Sequence, residues 1–327
     1  MRRREFVTLI GVAAAAWPLA AKAQQSAMPV IGYLGASSPE QSAFGITAFR
    51  RGLSEVGYIE GRNVAIEYRY AFNDSNRLQA LATDLVRRRV ELIATIASTG
   101  ATLAAKAATA SIPIVFSSGQ DPVDAGLVAS FNRPGGNVTG ASSMSADLGA
   151  KRLGLLYELV PRAARFALLV NPKSPNAEVS IRDAREGASA LGRPIEILSA
   201  GNTEEIDGSF ADLLSKRVDA LLVSPDTLFT NRRVQLVAQA AQHAVPAIYP
   251  FRAIVEADGL MSYGSSGSEG PRQAGIYAGR ILNGEKPADL PVHRANKFEF
   301  IVNLQTARTL GIQVPPRLLA LADETIE

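Results

Sequence analysis

Two rhythms of apolar and polar residues alternate along the chain. Short apolar runs read as buried strands, and longer stretches with apolar residues three and four apart read as helices. Val30 to Leu34 is the first strand. A helix is predicted over Gln41 to Val56, with Phe44, Ala48 and Leu53 on its apolar face and Gly57 as its stop. Val64 to Tyr70 is β-rich, and Ser75 to Arg89 is helical with Leu78, Leu81 and Leu85 on one face. A strand at Leu92–Ile96, an Ala-rich helix from Ser98 to Ala110 and a strand at Ile112–Phe116 follow.

Asp121 to Gly140 breaks the rhythm with Pro122, Pro134, Gly135 and Gly136, and reads as a long loop toward a second domain. The alternation then resumes. Strands are predicted at Phe166–Val170, Ile195–Ser199, Ala220–Val223, Ala247–Tyr249 and Leu260–Tyr263. Helices are predicted at Leu148–Leu159, Glu178–Leu191, Glu204–Lys216, Asn231–His243 and Glu269–Leu282, the last capped by Asn283-Gly284. Repeated β–α alternation implies an α/β fold with mainly parallel sheets covered by helices.

One similarity recurs within the chain. Leu92–Ile96 leads through Ser98-Thr99 and a helix to Ile112-Pro113-Ile114-Val115-Phe116. Ala220–Val223 leads through Pro225-Asp226 and a helix to Val245-Pro246-Ala247-Ile248-Tyr249. Any β–α–β unit shares this outline, and two similar domains facing one another would share it too. In parallel sheets ligands meet the loops after the carboxyl ends of the strands. Those loops are Ser98-Thr99-Gly100, Ser117-Ser118-Gly119-Gln120 and Ser224-Pro225-Asp226, all small and polar.

Composition narrows the function. The 327 residues suggest about two domains at roughly 150 each. There is no cysteine, which excludes disulfides, thiolate metal sites and cysteine catalysis. The two histidines, His243 and His293, leave little material for a metal site, and no cofactor is expected. The N-terminus reads Met1-Arg2-Arg3-Arg4-Glu5-Phe6, then a mostly apolar run from Val7 to Ala21, then Ala21-Lys22-Ala23. That is the pattern of a secretory signal cleaved after Ala23, and Arg3-Arg4-x-Phe6 resembles the twin-arginine export signal. Removal of residues 1–23 lowers lysine plus arginine from 34 to 30 and aspartate plus glutamate from 31 to 30. The mature chain is then neutral, so the basic charge gives no support for nucleic-acid binding. No later run is apolar and long enough to span a bilayer.

Motifs of catalysis are missing. There is no phosphate-cradling G-x-x-x-x-G-K-[ST], no G-x-S-x-G elbow, and Gly32-x-x-Gly35 falls short of a dinucleotide fingerprint.

The chain resembles the ABC transporter substrate-binding proteins, in the group that includes tryptophan- and tyrosine-binding members. The resemblance runs from about Val30 to Glu327. It rests on Gly57-Tyr58-Ile59-Glu60-Gly61-Arg62-Asn63-Val64, on Asp121-Pro122-Val123 through Pro134-Gly135-Gly136-Asn137-Val138-Thr139-Gly140, and on Leu169-Val170-Asn171-Pro172. The run from Lys297 to Leu304, continuing through Leu310-Gly311 and Pro315-Pro316 to Ala322-Asp323-Glu324, completes it. One departure is His293-Arg294-Ala295, where relatives often carry Glu-Gln-Pro.

The resemblance implies a type I periplasmic binding protein: two Rossmann-like lobes, three crossovers and a ligand cleft between them. The expected lobes are 28–143 plus 259–290, and 144–258 plus 291–327. Crossovers are expected near Ser142–Ala146, Phe251–Asp258 and Leu290–Arg294. The expected function is not enzymatic. A periplasmic monomer would capture a small ligand by hinge closure and deliver it to an ABC permease and ATPase that are separate chains. A ligand sensor for a membrane signalling protein, or an exported enzyme on the same fold, are the alternatives.

Characterised relatives suggest an amino acid or a similar small ligand. Its carboxylate would suit Ser98, Thr99 and Gly100 at a helix start, with Ser117 and Ser118 adding hydrogen bonds. Capping is the competing role for these hydroxyls. An ammonium would need a carboxylate, and Asp226 is the choice, with an N-cap of the following helix as its competing role; Asp121 reads at least as well as a fixed Pro-bearing turn. Tyr249, Phe251 and Tyr263 are candidates for stacking on an apolar or aromatic ligand, with core packing the rival for each and the favoured role for Tyr263. Asn171, Ser174 and Asn176 in the second lobe, and Ser37 and Ser38 after the first strand, complete the candidate set.

Overall fold

The computed structural model describes residues 28–174 and 176–327, and the expected export signal lies outside them. The first half forms strands β1 (Val30–Gly35), β2 (Ala65–Tyr70), β3 (Leu92–Thr95), β4 (Ile114–Ser118) and β5 (Val138–Ser142). Helices α1 (Pro39–Glu55), α2 (Leu78–Arg87) and α3 (Thr99–Ala108) alternate with them. The second half repeats the scheme: α4 (Gly149–Leu159), β6 (Phe166–Val170), α5 (Ala177–Ala190), β7 (Ile195–Ser199), α6 (Thr203–Ser215) and β8 (Ala220–Val223). After β8 comes a short helix that was not predicted, α7 (Thr227–Asn231), then α8 (Arg233–Gln242), which lies within the predicted Asn231–His243, and β9 (Ala247–Tyr249). Then come α9 (Arg252–Val255), β10 (Met261–Ser265), α10 (Glu269–Leu282), β11 (His293–Arg294), β12 (Phe298–Asn303), α11 (Leu304–Thr309), α12 (Pro316–Leu321) and β13 (Glu324–Ile326).

The strands make two sheets, ordered β11-β5-β4-β3-β1-β2 and β13-β12-β10-β9-β8-β6-β7. Read inward from β2 and from β7, the first five strands follow the same order, so β3–α3–β4 and β8–α7–α8–β9 hold equivalent places. The first sheet is parallel, and the second is parallel except for the antiparallel β10–β12 pair. Alternate residues of each strand feed opposite faces. In the first lobe Ile31 and Tyr33 pack with Phe49, Leu53 and Tyr277 from α1 and α10. On the other face Ile93, Ile114 and Phe116 meet Leu78, Leu85 and Ala105 from α2 and α3. In the second lobe Phe166 and Leu168 pack on α4 and α5, while Ala167 and Leu169 pack on α6 and α8. Small residues set the closest helix approach: a Cβ on Gly52 of α1 would lie 1.9 Å from the carbonyl oxygen of Arg272 in α10.

Three expectations change. The end of the supposed loop 121–140 is strand β5. Gly140, which had marked a loop, sits there because a Cβ would come within 2.1 Å of the Phe116 carbonyl oxygen on β4. Phe44 is not on the buried face of α1, which is formed by Ile46, Ala48, Phe49 and Leu53; its ring is 67% exposed. The segment 251–258 is not a crossing. α9 stays in the second lobe, and β10 pairs with β9 and β12, so residues 261–265 belong to the second sheet and not the first. Likewise His293 and Arg294 pair with Ala141 and Ser142 in the first sheet. An apolar run looks the same in either sheet, and only pairing assigns it.

The chain therefore changes sheets between Ser142 and α4, between Ser265 and Glu269, and between Arg294 and Phe298. The first two crossings leave from the carboxyl ends of β5 and β10. The third leaves the carboxyl end of β11 and enters β12 at Phe298, the residue paired with Ser265 at the carboxyl end of β10. All three crossings thus join the carboxyl edges of the two sheets, and these edges face one another.

Candidate functional site

At the carboxyl end of β3 the chain turns sharply into α3. Ala97 takes a left-handed conformation, φ +57°, and its N–H donates to Ser117 Oγ at 3.0 Å. Such strain in a non-glycine residue persists only where surrounding contacts hold it. Ser98 then caps the helix, its Oγ accepting the Ala101 N–H at 3.1 Å. Thr102 Oγ1 donates back to the Ser98 carbonyl at 2.9 Å. Thr99 is 5% exposed, and its Oγ1 is buried with no hydrogen-bond partner among the described residues. The N–H groups of Thr99 and Gly100 open the helix, where no intrahelical carbonyl can reach them and the helix dipole is positive. This corner offers donors to a negative group.

The equivalent corner of the second lobe carries the opposite charge. Asp226 follows β8 and caps α7, its Oδ1 accepting the Leu228 N–H at 2.8 Å. The same oxygen accepts from Asn171 Nδ2 at 3.2 Å. Burial raises the pKa of Asp226; hydrogen bonds from Asn171, Leu228 and Ser174 pull the other way, and no positive side chain enters the balance. Asn171 and Ser174, which follow β6, are thereby brought to Asp226 as a polar cluster. Ser174 Oγ also accepts the Asn176 N–H at 3.3 Å, while Asn176 Oδ1 is buried with no hydrogen-bond partner among the described residues.

Other candidates are engaged locally. Ser37 Oγ shares a hydrogen bond with Ser42 Oγ at 2.9 Å. Ser38 caps α1 in a reciprocal capping box with Gln41. Ser118 Oγ donates to the Gln120 carbonyl at 3.2 Å. Asp121 Oδ1 accepts the N–H groups of Val123 and Asp124 at 2.7 and 3.2 Å, so the carboxylate fixes its own turn. Phe251 is half-buried just after β9. Tyr249 does not line a cleft: it is 1% exposed and packed with Leu169, Leu221 and Ala247 in the core of the second lobe. It is the last residue of β9 on the face covered by helices, so its ring points into packing. Tyr263 likewise stacks on Phe298, ring centroids 6.0 Å apart, beside the core.

Sequence reasoning missed Arg152. It is 1% exposed, and its guanidinium donates from Nε to the Tyr263 carbonyl at 2.7 Å and from Nη2 to the Ser145 carbonyl at 3.0 Å. Burial pushes its pKa down to about 10. The signal was there: Arg152 shares a helical face with Leu155, Leu156 and Leu159, an unusual place for a cation. Among the described residues no helix is long and apolar enough to cross a membrane.

The comparisons agree with this architecture. A tyrosine-binding protein of Clostridioides difficile (strain R20291) is 30% identical over 266 residues, 81% of this chain and 76% of that protein. The ABC domain of a Streptococcus pneumoniae protein in complex with L-Trp superposes with a TM-score of 0.82 at 25% identity, covering 91% of this chain and 99% of that one. A ligand-free, open substrate-binding protein with adhesive properties from Clostridium difficile gives a TM-score of 0.66 at 28% identity over the same shares. At equal coverage and similar identity, the TM-score is higher for the tryptophan complex than for the ligand-free, open form. The fold is that of the type I periplasmic binding proteins, and the family profile for ABC transporter substrate binding proteins matches residues 41–326. The chain belongs to the ABC transporter substrate-binding protein family.

Proposed function

We propose that this protein is the exported solute-binding component of an ABC importer and that it captures an amino acid. The observation that carries the reading is the pairing of two corners of opposite electrostatic character at equivalent places on facing edges. The start of α3 offers Thr99 Oγ1 and two free N–H groups to a carboxylate. Asp226 offers a partly buried carboxylate, with no cation paired to it among the described residues, to an ammonium. An α-amino acid carries both charges on one carbon and fits between such corners. Binding across both lobes favours the closed arrangement, because the ligand touches both sets of groups only there. A permease and ATPase on separate chains would then receive it, and residues 1–23 would direct the protein to the periplasm. Ligands named for the relatives, tyrosine and L-Trp, support the class. No catalytic step is assigned to the site.

A thermal-shift screen over amino acids, aromatic acids, nucleobases and sugars tests this. A ligand that binds the folded state raises the melting temperature through RT ln(1 + [L]/Kd). A rise with one or more amino acids is expected. A rise confined to ligands without an ammonium group would overturn the amino-acid reading.

A further inference from the structure

Asparagine is among the best helix caps, because its side-chain oxygen accepts a backbone N–H of the first turn. Asn176 stands at the cap position of α5 and does not do this. Its backbone is already helical there, φ −88° and ψ −2°, and its side chain makes no cap hydrogen bond. Ser38, Asn202, Asp226 and Asn303, at the starts of α1, α6, α7 and α11, all accept such an N–H. Asn176 Oδ1 is nevertheless buried, with no hydrogen-bond partner among the described residues. An unpaired buried acceptor costs free energy, so its persistence calls for a partner from outside the chain.

Hydrogen bonds tie Asn176 to the acidic corner. Its N–H donates to Ser174 Oγ at 3.3 Å, and Ser174 in turn donates to Asp226. A single serine thus joins the two residues. The turn that carries it is closed by its own backbone: the Ser174 N–H donates to the Asn171 carbonyl, and the Ala177 N–H to the Ser174 carbonyl, both at 3.0 Å. Asn171 Nδ2 reaches Asp226 Oδ1 at 3.2 Å, and the Leu228 N–H reaches the same oxygen at 2.8 Å. The donors of this cluster are therefore spent on Asp226 and Ser174. What remains is acceptor character: a carboxylate with no cation paired to it among the described residues, and one amide oxygen.

Two acceptors on linked residues suit a group that carries more than one N–H. We infer that Asn176 Oδ1 is the second acceptor of the ligand ammonium, beside Asp226, and that the site therefore selects a primary amine over an N-alkylated one. A primary ammonium has three N–H donors and can satisfy both oxygens at once. An N,N-dimethylated ammonium keeps one N–H, which goes to the charged partner, Asp226, because the charge-assisted bond is the stronger. The inference rests on the amino-acid reading of the site and deepens it, by naming the class of amine that the site takes.

Isothermal titration of the purified protein with L-tryptophan, L-tyrosine and L-alanine, each also as its N,N-dimethyl derivative, tests it in the wild type, Asn176→Ala and Asn176→Asp. The wild type is expected to prefer the primary amines. Asn176→Ala should weaken the primary amines about tenfold, as a hydrogen bond to a charged group is lost, and leave the dimethyl derivatives unchanged. Asn176→Asp keeps an oxygen in the same place and should bind the primary amines at least as tightly as the wild type. Ligand-free Asn176→Ala should melt no lower than the wild type, because no side-chain hydrogen bond of the fold is lost. Equal losses for primary and dimethyl forms in Asn176→Ala, no loss for either, or wild-type preference for the dimethyl forms would overturn the inference. So would a loss in Asn176→Asp as large as in Asn176→Ala. If dimethylation abolishes wild-type binding outright, the aspartate variant decides: restored affinity upholds the second acceptor, and a loss overturns it. Failure of the wild type to bind any of these compounds would instead strike the amino-acid reading itself, and the inference with it.

Discussion

Arg152 Nε donates to the carbonyl oxygen of Tyr263 at 2.7 Å, and this bond ties α4 to the strand from which the second crossing departs. The other arm of the guanidinium holds Ser145 on the first crossing. One buried side chain therefore sets two of the three crossings relative to each other. A buried cation is expensive, and burial alone drives its pKa down, against a weaker upward pull from Asp183. Arg152→Met keeps the aliphatic volume but orphans two carbonyl groups. The expected loss is roughly 2–4 kcal/mol of stability, measured by urea unfolding. A variant as stable as the wild type would mean that these carbonyls find other donors and that the tether does not hold the crossings.

Asp226 caps α7, and the proposed ammonium contact is a second role that substitution can separate from the cap. Asparagine caps a helix about as well as aspartate, so Asp226→Asn preserves the α7 cap while removing the charge. Amino-acid affinity should fall by at least an order of magnitude as a charge-assisted bond is lost, with no loss of melting temperature in the ligand-free protein. The pH dependence has a definite sign. Burial raises the folded pKa of Asp226 above its unfolded value, so its protonated form favours the folded protein. That contribution is full below the unfolded pKa and is lost as pH rises through the folded pKa. Ligand binding runs the other way, because an ammonium needs the ionised carboxylate. Affinity should decline on acidification from a pH above the ordinary aspartate range, and the decline should disappear in Asp226→Asn. A pH profile identical in both proteins would remove Asp226 from the ammonium site.

The strand and helix alternation was legible because each element carries its own periodicity; β7, β8, β9 and α10 lie where the apolar runs end. What sequence could not supply was partnership. β10 and β11 are short, and their sheet is decided by which strand lies beside them, so the second and third crossings were misplaced. Gly140 looked like a loop residue when it marks close passage over Phe116. The C-terminal strand β13 is only three residues, Glu324–Ile326, and carries too little pattern to announce itself. At the site, the loops after β3 and β8 could be read from strand ends, yet the side-chain directions could not. Tyr249 and Phe44 exchanged places for this reason: the ring expected to face ligand is in the core, and the ring expected in the core is exposed.

That exchange gives a test of its own. Tyr249 closes β9 from the core side, and a Cβ on Gly259 would lie 2.9 Å from its Cε2. Tyr249→Ala should cost about 3–5 kcal/mol in chemical denaturation, as for other buried rings cut to alanine. Tyr249→Phe keeps the ring and should leave ligand affinity unchanged by calorimetry. A tenfold affinity loss in the phenylalanine variant would place the hydroxyl at the ligand after all.

Thr99 offers the sharpest contrast with its neighbour. Ser98 Oγ already caps α3, so Ser98→Ala should lower stability by about 1 kcal/mol, whatever it does to binding. Thr99 Oγ1 is buried with no hydrogen-bond partner among the described residues, a state that itself costs free energy. Thr99→Val removes that hydroxyl while keeping the β-branched shape. The ligand-free protein should therefore melt at the same temperature or higher. If the hydroxyl waits for the ligand carboxylate, amino-acid affinity should drop about tenfold at the same time, because a hydrogen bond to a charged group is lost. Opposite signs in the two measurements are the signature of a group kept for binding at the expense of folding. A stabilised Thr99→Val that binds as tightly as the wild type would show that the carboxylate, if one binds there, is held by the N–H groups of Thr99 and Gly100 without the hydroxyl.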